Sequence, residues 1–135
     1  MIGCWSSDWG YDSAMEDEWF VLRGDGTGWS AYLRPWYTHA TLFRWVVHRP
    51  GTLSVVAYRE VELDESGDDD VLDVTPLELS VEAGYRIEEG TRPTLDSPVP
   101  LLTVDLPFLQ LPGEYAFESG DEPVRDFLRK AGVQT

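Results

Sequence analysis

Leu77-Glu78-Leu79-Ser80-Val81-Glu82-Ala83-Gly84-Tyr85-Arg86-Ile87 alternates apolar and polar residues, with only the small Ala83 interrupting a series of large apolar odd positions. A period of two puts the odd residues on one face of an extended chain, so the stretch predicts a strand over 77–88 with one buried and one wet face. The same alternation recurs on both sides of it. Phe43, Trp45 and Val47 keep it, and Leu53, Val55, Ala57, Val61 and Leu63 carry it across 53–63 with Arg59 as the one break. Leu102, Val104 and Leu106 repeat it later.

Turn chemistry joins these strands as antiparallel neighbours. Asp25-Gly26 lies between residues 18–23 and 29–34, a hairpin signal because glycine accepts the positive φ that tight turns require. With those two residues as the loop, Leu22 faces Trp29 and Phe20 faces Ala31. Pro50-Gly51 connects 41–48 to 53–63 in the same way, and prolines at 93, 98, 100, 107 and 112 confine later strands to short or edge positions. Only the C-terminus reads as helical. Asp121 is a good N-cap, Pro123 suits a first turn, Val124, Phe127, Leu128 and Ala131 share one face, and Gly132 is a stop. The expected architecture is mostly β: an antiparallel meander of about seven or eight strands forming a barrel or strongly curved sheet, with one helix near 122–131 packed on it or plugging one end.

A chain of 135 residues suits one domain over 1–135. Its 42% hydrophobic and 13% aromatic content excludes a disordered chain despite a formal charge of −15. No run is long and apolar enough for a membrane helix, and residues 1–20 lack a basic-then-apolar secretion signal, so a soluble cytoplasmic protein is expected. Cys4 is the sole cysteine, which rules out an internal disulfide and a thiolate zinc site and leaves a small buried hydrophobe.

The net charge repels nucleic acid and anionic lipid, so neither is an expected partner. Its distribution is uneven. From Gly26 to Arg59 there is no Asp or Glu, only Arg34, Arg44, Arg49 and Arg59, whereas residues 60–73 hold Glu60, Glu62, Asp64, Glu65, Asp68, Asp69, Asp70 and Asp73 with no base. Such a run reads as a solvated loop. It does not reproduce the alternation of a calcium-binding loop and better suits a basic protein partner.

Ile2-Gly3-Cys4-Trp5 has the Gly-x-Trp form that opens lipocalins and related calycin barrels. The stretch Phe20-Val21-Leu22-Arg23-Gly24-Asp25-Gly26-Thr27-Gly28 resembles the next hairpin of small bacterial lipocalin-like domains, and Phe43-Arg44-Trp45 with Pro50-Gly51-Thr52-Leu53 is similar to their third and fourth strands. The resemblance covers roughly the first half of the chain. It implies a barrel with a binding role, in which Trp5 closes one end under a late basic side chain, with Arg125 and Arg129 as candidates.

For a ligand, Trp29, Phe43 and Trp45 are expected to face inward with Phe20 and Leu22, and Tyr58 lies across the second hairpin. Together they would supply apolar walls, unless they simply fill a solid core. Arg34 and His39 flank the connection at Pro35 and are the expected polar contacts, while Arg44 and His48 share the opposite face. The competing reading is that these cations neutralise the protein's own carboxylates. Catalysis has little support. Neither His39 nor His48 sits in a nucleophile or metalloprotease motif, their nine-residue spacing fits no helical metal pair, and Asp8, Asp12, Glu16, Asp17 and Glu18 read as a solvated loop. Gly24 to Gly28 joins two strands and opens no helix, so no cofactor phosphate site is expected. The functional expectation is a non-catalytic protein holding a small amphipathic or aromatic molecule at the barrel mouth. The alternative is an acidic interaction module, of inhibitor or immunity type, that masks a basic partner surface.

Overall fold

Eight antiparallel strands follow one another round a closed ring in a computed structural model of the chain, which describes residues 1–8, 16–111 and 113–120. They are β1 (Gly3–Ser6), β2 (Asp17–Leu22), β3 (Thr27–Arg34), β4 (Tyr37–Arg49), β5 (Thr52–Asp64), β6 (Val71–Gly90), β7 (Val99–Val104) and β8 (Glu114–Ser119). Each pairs with its neighbours in sequence, and β1 closes the ring on β8 through Trp5 opposite Phe117. The long β6 bridges the ring in two halves, pairing with β5 through residues 71–84 and with β7 through residues 85–90. The helix expected near 122–131, with Arg125 and Arg129, lies outside the described residues, as does Asp12. No helix among the described residues is long and apolar enough to cross a membrane.

The inward face is packed with Trp5, Phe20, Leu22, Phe43, Leu53, Val55, Leu102, Val104 and Tyr115, all buried. Aromatic rings span its width. Phe20 lies 5.6 Å from Phe43 and 5.8 Å from Tyr115, and Phe43 lies 5.7 Å from Phe108, contacts that add about 1 kcal/mol each beyond simple burial.

Two local features change which residues face inward. At the first hairpin the Arg23 N–H donates to the Thr27 carbonyl at 2.9 Å, so the loop has three residues, with Gly26 at φ +87° and the Asp25 carboxylate accepting from the Thr27 N–H and hydroxyl. Those hydrogen bonds from Thr27 hold the Asp25 carboxyl below its ordinary range. The register is therefore Leu22 opposite Gly28, Val21 opposite Trp29 and Phe20 opposite Ser30. This is one residue away from the register expected for a two-residue loop, and a one-residue slip turns a side chain to the other face. Trp29 accordingly points outward.

The second feature is a bulge at Tyr58, where Ala57 pairs with Phe43 but Arg59 pairs with Leu42. The extra residue reverses the alternation. Leu53, Val55 and Ala57 remain in the interior, whereas Val61 and Leu63 join Cys4, Val21, Trp29 and Leu42 in a second apolar cluster on the outer face, with Tyr58 packed against it. Downstream of the bulge, Glu60 and Glu62 take the inward positions. The acidic run is thus not one loop, because β5 extends to Asp64 and β6 begins at Val71, leaving 65–70 as the exposed connection.

Gly28 sits where β3 passes Phe43. A Cβ there would meet the Val21 carbonyl oxygen and lie 2.6 Å from the Phe43 ring. Gly28→Ala is expected to destabilise the barrel by about 1–3 kcal/mol through overpacking, measured by urea unfolding. An unchanged midpoint would show that Phe43 is not held against this backbone.

Candidate functional site

The site begins with a buried acid. Glu18 has the same parity as Phe20 and Leu22 on β2, so its side chain enters the interior, where it is 1% exposed. A carboxylate removed from water needs donors. The N–H groups of Gln110 and Leu111 and the hydroxyl of Tyr115 each donate to it at 2.9 Å. These bonds tie residues 105–111, the connection from β7 to β8, across one end of the barrel, and the segment buries Leu106 and Phe108 beneath itself. Asp17 does a related job outside. Its Oδ1 accepts from the hydroxyls of Ser6 and Ser7, at 2.9 and 3.0 Å, and from the Asp8 N–H at 3.1 Å. Glu18, expected in a solvated acidic loop with Asp8, Glu16 and Asp17, is therefore an interior strand residue instead.

The crossing segment covers only part of the barrel end. Between it and strands β3 to β6 lie two adjoining cavities, both bounded by His39 and Gln110. One, of about 250 Å³, runs inward past Thr41 and Glu60 to Leu77, Leu79 and Phe108. The other, of about 410 Å³, opens towards Tyr32, Arg34, Tyr37 and Glu62. The combined cleft has an apolar floor and a polar rim.

Its electrostatics are set by strand register. His39 pairs directly with Glu62 and sits beside Glu60, with Nε2 2.6 Å from Glu60 Oε1. The Arg34 guanidinium stacks 5.0 Å from the centre of the Tyr37 ring. Burial, then the nearby Glu62 carboxylate, raises the Tyr37 phenol above its ordinary value; burial, then Glu16, raises Tyr32 likewise. Both phenols thus stay neutral, with the Tyr32 hydroxyl engaged by Glu16.

Of the residues expected to bind a ligand, Arg34 and His39 meet at this mouth. Phe43 lies below it, in the packed interior against Phe108. Trp45 is inward but remote. It is six residues along β4 from His39, about 20 Å at the usual strand rise, and its indole N–H donates to the Arg23 and Thr27 carbonyls at the first hairpin. Trp29 and Tyr58 belong to the outer cluster and line neither cavity. Thr41, Glu60, Glu62, Leu77, Leu79 and Gln110 were missed by sequence reasoning. The inward direction of Glu60 and Glu62 depends on the Tyr58 bulge, which carries no Gly or Pro signal.

The geometry defines a closed antiparallel β-barrel with a half-covered, polar-rimmed mouth. No protein-family model, curated protein or solved structure matches the chain.

Burial, followed by the charge and hydrogen bond of Glu18, pushes the Tyr115 phenol far above its ordinary 10.0. A raised folded-state value gives stability that is complete below the unfolded value and lost as pH climbs past it. The wild type should therefore lose stability progressively above about pH 10, followed by urea unfolding at stepped pH. Tyr115→Phe should cost about 1 kcal/mol at neutral pH and show a shallower alkaline decline. Equal alkaline slopes would show that Tyr115 is not held in its neutral form by the fold.

Proposed function

We propose that this protein is a lipocalin-like binding protein that holds a small amphipathic molecule at the barrel mouth without chemical conversion. The cleft carries this reading: Leu77, Leu79 and Phe108 offer an apolar floor, while Tyr32, Arg34, His39 and Gln110 offer polar contacts at the rim. Binding sites commonly combine an apolar surface with a few placed polar groups in this way. The aromatic row through Phe20 and Phe43 fills the deeper interior, so a ligand would be taken up at the mouth and not at the barrel centre. The lipocalin-like assignment draws on the Gly-x-Trp opening. Trp5 is buried in the interior, its indole N–H donates to the Met1 carbonyl at 2.9 Å, and Phe117 packs edge-on to it. Gly3 fits closely beside the same Phe117 ring, 2.6 Å from where a Cβ would stand.

The test uses a neutral amphipathic fluorophore, N-phenyl-1-naphthylamine. Wild-type protein should enhance its emission saturably, and Leu79→Trp, which fills the inner cavity, should weaken binding at least ~10-fold with little change in thermal midpoint. Trp45→Phe, at the far end, should bind like wild type. Absence of saturable binding, or full affinity in Leu79→Trp, would count against the mouth as a ligand site.

A second reading rests on the rim. Residues 64–71 are all exposed, and next to them Trp36 is 69% exposed at φ 66°, an unusual backbone for a tryptophan. An acidic rim with an exposed indole suits a basic protein surface. Such a partner should associate more slowly as salt rises and bind Trp36→Ala more weakly. Salt-insensitive association would oppose this reading.

A further inference from the structure

The rim contains a cluster that small-molecule binding does not require. Glu60 and Glu62 lie two residues apart on the inward face of β5, and His39 stands opposite Glu62 on β4. Each offers one ligating atom, and these atoms all lie within 4.8 Å of one another. Two carboxylates this close repel each other, and the His39 ring contacts only the Glu60 carboxylate of the two, at 2.6 Å. His39 and Glu60 are partly withdrawn from water, their side chains 14% and 34% exposed, so their charges are less screened than surface charges would be, while Glu62 is exposed at the rim. Arg34, the other cation on the cleft wall, stacks on the Tyr37 ring and hydrogen-bonds Tyr32.

Independent of the acid cluster itself, the cavities place open space beside the three groups. His39 and Glu60 border the inner cavity, and His39 and Glu62 border the outer one. An ion held between them would keep coordination positions free for water or an exogenous ligand. The carrier strands belong to a closed barrel, which fixes the backbone positions of the donors before any ion arrives.

We propose that His39, Glu60 and Glu62 form a site for one divalent transition-metal ion, with zinc as the ion it fits best. A mixed imidazole and carboxylate set suits zinc. Calcium and magnesium favour all-oxygen surroundings, and no thiolate is present to select a softer ion. Three protein donors with an open side give the arrangement in which zinc retains an exchangeable ligand. The site stands apart from the small-molecule reading, since naphthylamine binding can fail while zinc binding succeeds, and the reverse.

The test is calorimetric titration of the full chain with zinc chloride, after chelator treatment and removal of the chelator. Wild type should bind one equivalent with a dissociation constant of about 10 µM or tighter. His39→Ala and Glu62→Gln should each weaken binding at least ~10-fold, and His48→Ala should not. Near-ultraviolet circular dichroism checks that each variant keeps its tertiary structure. Should His39→Ala fail to fold, the near-isosteric Glu62→Gln carries the test. Absence of zinc binding, full affinity in Glu62→Gln, or tighter binding of calcium than of zinc would overturn the proposal.

Discussion

Closure of β1 on β8 is the constraint from which the other features follow. A closed ring gives every strand one face that must pack in a confined volume, and here that volume is filled by a row of rings through Tyr115, Phe20, Phe43 and Phe108. Gly28 permits Phe43 to enter the row, since any side chain at that position would occupy the ring's space. With the centre occupied by these rings, the two adjoining cavities lie at one end. There the buried Glu18 carboxylate draws the backbone of Gln110 and Leu111 over part of the opening, converting a plain barrel end into a cleft with an apolar floor.

Alternation of apolar and polar residues correctly indicates antiparallel strands arranged as a meander, and the turns from β2 to β3 and from β4 to β5 contain Asp25-Gly26 and Pro50-Gly51, as those dipeptides suggest. Facing is less legible, for an identifiable reason. Strands β2 to β5 carry apolar residues on both faces, since the outer cluster around Trp29 also excludes water. Where both faces are apolar, period two no longer says which one is inside. A two-residue Asp25-Gly26 turn, which Gly26 also permits, would direct Trp29 inward, and Val61 and Leu63 continue the odd-numbered pattern across a bulge that reverses its meaning.

The candidate site shows the same difficulty in its charges. A run of acids with no bases ordinarily indicates hydration, and residues 65–70 conform. Glu18 and Glu60 do not, because β2 and β5 carry them inward, where neighbours rather than composition determine their roles, and Glu62 follows Glu60 on the same face but stays exposed at the rim. Arg34 and His39 could be associated with a binding mouth from their places beside Pro35. Their partners come from β5, β6 and the 105–111 segment, and such long-range pairings are invisible without the register.

Uptake at the mouth, and not in the packed centre, can be examined most directly by mapping amide chemical-shift changes in assigned nuclear magnetic resonance spectra as N-phenyl-1-naphthylamine is added. Changes confined to residues around Tyr32, His39, Glu60, Leu79 and Gln110, with amides near Leu22, Trp45 and Leu53 unmoved, are the expected result. Changes centred on the latter group, or spread over the outer cluster at Trp29 and Val61, would contradict it.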